Sequence, residues 1–140
     1  MVTPLLEQDW NDLLDLWERS IRATHTFLDP DDIPIFKEVL ATDHLGRIDL
    51  FCIKDNGIIG VVGVDGKSLE LLFVEPSLMG RGIGKMLLEY AMNSCNISKV
   101  EVNEDNKHAV EFYKRAGFAV KRRTLCKGLT KRYPMLHMER

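Results

Sequence analysis

The sequence predicts an α/β fold, a mixed central sheet with helices on both faces. Three observations lead there. Apolar residues recur at helical spacing through the first forty positions, two apolar runs split by turn residues follow, and helices and strands alternate after Pro76. At 140 residues the chain is expected to form a single domain, residues 1–140, since domains commonly run to roughly 100–200 residues. A composition of 45% hydrophobic and 29% charged residues excludes an intrinsically disordered chain.

Each element has its own signal. Residues 2–6 read as a short first strand. Residues 9–22 carry Trp10, Leu13, Leu14, Trp17 and Ile21 at helical spacing, with Asp9 as the cap. Pro30 and Pro34 bracket a break, and residues 35–41 read as a second helix. The apolar runs 47–53 and 58–64 are joined by Lys54-Asp55-Asn56-Gly57, a hairpin signal. Asp65-Gly66 turns the chain into a strand over 67–75. A turn with three glycines, Met79-Gly80-Arg81-Gly82-Ile83-Gly84, then feeds an amphipathic helix over 85–92. Residues 97–103 read as a strand, 106–116 as a helix stopped by Gly117, 118–124 as a strand and 134–138 as the last one.

Several function classes are excluded or disfavoured. No run of 18 apolar residues exists, so no membrane-spanning helix is expected. Glu7 and Asp9 stand where a signal peptide would need a basic flank and an apolar stretch, so the predicted location is cytoplasmic. Cys52, Cys95 and Cys126 are widely separated and His25, His44, His108 and His137 show no ligand spacing, so no metal and no disulfide is expected. Cys52 sits in an apolar run and reads as a small core residue. A net charge of −2 disfavours nucleic acid as a partner. The distribution is uneven: residues 1–49 hold eleven acids against four Lys/Arg, while residues 112–138 hold eight Lys/Arg and no acid. That asymmetry reads either as two solvated faces of opposite sign or as a cationic ligand near one half and an anionic ligand near the other.

The glycine turn has chemical meaning. The first amides of a helix lack intrahelical partners and point outward, the helix dipole adds partial positive charge, and glycine removes the Cβ that would hold a phosphate off the main chain. A tight turn with no ligand is the plainer reading. The loop is neither a Walker loop nor a dinucleotide fingerprint.

With that turn, two motifs become recognisable. Leu72-Phe73-Val74-Glu75-Pro76 followed by Gly80-Arg81-Gly82-Ile83-Gly84-Lys85 resembles the acetyl-coenzyme A site of the GNAT superfamily of N-acetyltransferases. Asn106-Lys107-His108-Ala109-Val110-Glu111-Phe112-Tyr113-Lys114-Arg115-Ala116-Gly117-Phe118 is similar to the family's second signature, Asn-x-x-Ala-x-x-Phe-Tyr-x-x-x-Gly-Phe. The segment 17–28 and the terminal Tyr133-Pro134-Met135-Leu136 look like a small bacterial subgroup, the YjaB-like proteins. Met79 departs from the Gln or Arg with which the family's loop usually opens; Arg81 or Lys85 could compensate for the lost side-chain contact.

The resemblance implies a GNAT fold and an enzyme that passes an acetyl group from acetyl-coenzyme A to a primary amine by direct attack in a ternary complex. No cysteine has a recognisable activating partner for a covalent intermediate. It implies cofactor contacts from Leu72, Phe73 and Val74 through their backbone, from Met79, Gly80, Arg81, Gly82, Ile83, Gly84 and Lys85 in the loop, and from Asn106 on the pantetheine side. Asn106 also reads as a helix cap. It implies a backbone N–H of the 67–75 strand as oxyanion donor, and Tyr113 as the general acid that protonates the departing thiolate, against the plainer reading of core packing. The base stays open between Glu101, Glu70, His25 and water. Alternation places Ser68, Glu70, Leu72 and Val74 on one strand face, and Glu101 with Asn103 on one face of the neighbour. Two other functions compete: a coenzyme A-binding sensor without efficient turnover, and a toxin-like acetyltransferase of aminoacyl-tRNA, for which the basic 112–138 stretch is the support. A homodimer is left open, and the acceptor has no motif to read.

Overall fold

The computed structural model describes residues 1–127 and 132–140, apart from the side chains of His44, Cys126, Lys127 and Arg132. Strand β1 (Thr3–Pro4) leads through a 3₁₀ turn into helix α1 (Trp10–Thr24), and a second 3₁₀ turn, Pro30–Asp32, into helix α2 (Ile33–Val39). Strands β2 (Asp49–Lys54), β3 (Ile58–Asp65) and β4 (Ser68–Val74) follow as hairpins. Helix α3 (Ile83–Ser94), strand β5 (Lys99–Asn103), helix α4 (Lys107–Arg115), and strands β6 (Ala119–Lys127) and β7 (Arg132–Glu139) complete the chain. The strands form one sheet in the order β1-β2-β3-β4-β5-β7-β6, antiparallel except for β4 beside β5.

Helices lie on both faces, as the spacing predicts. α1 and α2 bury Leu13, Leu16, Trp17 and Ile33 with Cys52, Val61 and Phe73 of the sheet. On the other face α3 and α4 bury Leu87, Leu88, Ala91, Val110 and Tyr113 with Val62, Leu69, Val100 and Met138. Cys52 is fully buried, the core residue expected of it, and both it and Cys95 are free thiols.

Two local expectations fail for stated reasons. Asp9 does not cap α1: its Oδ2 accepts from the Leu6 amide at 3.1 Å and from Lys54 Nζ at 3.2 Å, tying the chain entry to β2. Pro34 does not break the chain. It lies in the first turn of α2, where a missing N–H costs nothing, and the helix runs on through a π turn, Leu40–His44.

The feature that shapes the site is a β-bulge. Val64 pairs with Leu69 and Gly63 with Leu71, so Glu70 is an extra residue in β4. The bulge reverses side-chain parity. Leu69 packs with the α3–α4 core and Phe73 with the α1–α2 core, although strict alternation would put both on one face. Ser68, Glu70, Leu72 and Val74 therefore do not share a face; Leu72 and Val74 join Leu69 instead. The bulge also bends the strand. β4 and β5 pair only at Ser68↔Lys99 and Leu69↔Val100 and then part.

Candidate active site

The parting of β4 from β5 exposes one side of β4 to an opening. Glu75 N donates to Ile59 O at 2.8 Å, which makes 59 and 75 a hydrogen-bonded pair in the register that sets Val74 opposite Gly60. Such pairs alternate along an antiparallel ladder. Leu71 and Phe73 thus turn their backbone groups toward β3, and Leu72 and Val74 turn theirs into the opening. Of the three residues expected to offer backbone contacts, Phe73 does not: its amide and carbonyl belong to the β3–β4 ladder, and its ring is buried beneath α1.

At the same end lies the glycine turn. Gly80 and Gly82 have φ of 82° and 84°, the left-handed region that glycine occupies without cost. Gly82 is the N-cap of α3 and has no side chain to cap with. The first helical bond is Met86 N to Gly82 O at 3.0 Å, so the amides of Ile83, Gly84 and Lys85 precede it and stand free of the helix ladder. A Cβ on Gly84 would meet Val74 Cγ2 and Phe112 Cζ, each at 3.8 Å, so loop, β4 and α4 converge there. Met79, Arg81 and Lys85 are exposed around the turn. These groups suit a pyrophosphate with an extended arm running along β4.

On α4, Asn106 is the N-cap: its Oδ1 accepts from the Ala109 amide at 3.2 Å. The helix closes with Gly117 at φ 100°, Gly117 N donating to Lys114 O and Phe118 N to Tyr113 O. This Schellman closure sets the Tyr113 and Phe118 rings edge to face at 5.9 Å. Tyr113 is 7% exposed, and its hydroxyl has no hydrogen-bond partner among the described residues. No buried side-chain polar atom there is left unsatisfied, so this oxygen reaches accessible space. Burial pushes the phenol well above its ordinary pKa, which keeps it protonated.

The candidate bases separate. Glu70, at the bulge, and Glu101, on β5, line one surface recess of about 340 Å³ with His137, Lys121 and Arg122. Glu101 Oε1 lies 3.2 Å from His137 Nδ1, and His137 Nε2 lies 2.7 Å from Thr124 Oγ1. His137 and Thr124 escape sequence reading because they reach Glu101 only through the β5–β7–β6 pairing. His25 is elsewhere, at the end of α1, its Nδ1 2.7 Å from Thr24 Oγ1 and its Nε2 3.3 Å from Asn106 Nδ2. Burial lowers its pKa to about 4. Nearby, Tyr133 donates to the buried Asp32 carboxylate at 2.7 Å and accepts from the Asp29 amide at 3.0 Å, pinning the 29–32 turn to β7.

The charge asymmetry is partly neutralised by local pairing. Asp9 meets Lys54, Glu18 meets Lys37 and Arg22, and Arg123 meets Glu104 at 2.9 Å. Lys131 and the side chains of Lys127 and Arg132 lie outside the described residues. No group of three His, Cys, Asp or Glu among the described residues could hold a metal ion, and no described helix is long and apolar enough to cross a membrane.

Comparison with known proteins agrees with this geometry. Residues 35–138 match the acetyltransferase (GNAT) domain family. The peptidyl-lysine N-acetyltransferase YjaB of Salmonella typhimurium is 37% identical over 128 residues, 90% of this chain and 88% of that protein. YjaB of Escherichia coli is 31% identical over 133 residues, 94% of this chain and 90% of that one. The solution structure of apo YjaB from Escherichia coli superposes with a TM-score of 0.85 at 27% identity, covering 99% of this chain and 95% of that one.

Proposed function

The chain belongs to the GNAT family of acetyltransferases, closely related to YjaB-like proteins, and from that premise we propose that it acetylates the side-chain amine of lysine in a peptide or protein, using acetyl-coenzyme A. The acceptor class rests on the printed activity of the YjaB relatives. The observation that carries the chemistry is the opening between β4 and β5, with free helix amides at one end and, on α4, a phenol that has no hydrogen-bond partner among the described residues.

The steps follow from those groups. The amides of Ile83, Gly84 and Lys85 receive the pyrophosphate, and Leu72 and Val74 hold the pantetheine arm in the manner of an added strand. A neutral amine attacks the thioester carbonyl carbon. Charge gathers on the carbonyl oxygen, where a β4 amide facing the opening stabilises it. As the carbon–sulfur bond breaks, Tyr113 gives its proton to the thiolate, and the proton that the nitrogen sheds on becoming an amide restores the phenol. An alkylamine near pH 7 is almost wholly protonated, so a base must first take a proton. Glu101 is that base: its Oε1 lies 3.2 Å from His137 Nδ1, and the carboxylate, the more exposed of the two, returns the proton to solvent. His25 is the weaker candidate, since Asn106 Nδ2 lies 3.3 Å from its Nε2.

The test is a panel of lysine peptides, peptides with only a free α-amine, and polyamines, each assayed for thiol release with the product's acetyl position read by mass spectrometry. Acetyl on the lysine side chain is expected. Acetylation confined to polyamines would overturn the acceptor class. Coenzyme A binding without turnover on any amine would favour a sensor.

A further inference from the structure

A single chain of hydrogen bonds joins the end of α1 to the start of α4. Thr24 Oγ1 donates to the Ser20 carbonyl at 2.7 Å and lies 2.7 Å from His25 Nδ1. His25 Nε2 lies 3.3 Å from Asn106 Nδ2, and Asn106 Oδ1 accepts from the Ala109 amide at 3.2 Å.

Counting donors assigns every proton. A hydroxyl has one hydrogen. Thr24 uses it on Ser20, so the short contact is His25 Nδ1–H donating to Thr24 Oγ1. Nε2 then carries a lone pair, which accepts from Asn106 Nδ2. At the far end the Ala109 amide holds Oδ1 and forbids a flip of the carboxamide. An Oδ1 contact alone would let the amide group swing about it; the His25 contact removes that freedom. The support is itself rigid. His25 N donates to Ile21 O at 2.8 Å, His25 O accepts from Leu28 N at 3.0 Å, and the ring lies 5.2 Å from that of Phe27.

We infer that His25 is a positioning residue for the acetyl-coenzyme A site: it fixes the Asn106 carboxamide so that its second Nδ2–H is presented to the pantetheine arm. The inference rests on the reading of Asn106 as a pantetheine ligand. Burial keeps the imidazole neutral, as the arrangement requires.

The tautomer is tested directly. Long-range ¹H–¹⁵N spectra of the labelled protein at pH 7 should show a protonated Nδ1 and a bare Nε2 for His25; an Nε2–H tautomer would overturn the inference. Calorimetry with coenzyme A gives the second reading. His25→Ala should weaken affinity roughly 2–10-fold, the value of one neutral hydrogen bond, and His25→Gln, whose side-chain oxygen can accept from Asn106, should recover part of it. Asn106→Ala should weaken binding by itself, and adding His25→Ala to it should change nothing further. Unaltered affinity in Asn106→Ala would sink the reading of Asn106 and the inference with it. A loss in Asn106→Ala with none in His25→Ala would sink the role of His25 alone. Should His25→Ala fail to fold, the tautomer and the Gln variant still decide. If His25→Ala instead lost turnover and the alkaline rise of the rate at unchanged affinity, His25 would be the base and the inference would be wrong.

Discussion

The Tyr113 phenol is buried, and burial raises its pKa, which keeps in place the proton that the proposed mechanism draws on. Tyr113→Phe keeps the ring that packs edge to face on Phe118 and removes only the hydroxyl that carries the proton. Turnover should fall on the order of 10²–10⁴-fold with coenzyme A affinity near wild type, read by steady-state rates beside calorimetry; full turnover would leave Tyr113 a packing residue. Glu101 and Glu70 line one recess, where Glu101 Oε1 lies 3.2 Å from His137 Nδ1. The rate should rise with pH along one limb that Glu101→Gln abolishes or shifts and Glu70→Gln preserves. The reverse pattern would move the base to the bulge.

At the scale of elements, a single inserted residue makes the cleft. The Glu70 bulge turns β4 away from β5, and the ladder to β3 then leaves Leu72 and Val74 facing the gap. The loop before α3 depends on two left-handed glycines, and their Cβ positions open onto empty space. Gly82→Val therefore meets backbone strain rather than a clash, at a cost of about 1–2 kcal/mol. Its branched side chain would stand over the free amides. The expected outcome is a lowered coenzyme A affinity in calorimetry with the far-ultraviolet dichroism unchanged; wild-type affinity would remove the phosphate cradle.

The whole molecule should lose stability toward acid through His25. In the fold its pKa is about 4, below the ordinary value of 6.5. The unfolded chain binds a proton in that window and the folded chain does not, so stability falls as pH drops from about 6.5 to about 4, by up to about 3 kcal/mol. Asp9, held low chiefly by the Leu6 amide, and Glu18, held low chiefly by Lys37, begin to lose their contributions as pH falls through their ordinary values of 3.8 and 4.5, at the acid end of that window and below it. Urea unfolding at stepped pH checks this: the slope between pH 6.5 and 4 should flatten in His25→Ala, and an identical slope would place the acid sensitivity elsewhere.

The sequence by itself determined the α/β class, the order of the elements and the glycine turn at the start of α3. Hydrophobic period, turn glycines and the two motifs are local signals, carried by residues close together in the chain. The Asn106 cap and the Gly117 stop were legible for the same reason, since α4 is one continuous segment bounded by them. Alternation along β4 misled because a bulge is a property of pairing: only the β3 register shows Glu70 as the extra residue and turns Phe73 away from the opening. Tertiary structure alone set Glu101 beside His137, two strands that meet only in the folded sheet. It also closed the distance between His25 and Asn106, 81 residues apart. Both pairings join groups from separate elements, and no spacing along the chain encodes the distance between elements once they pack.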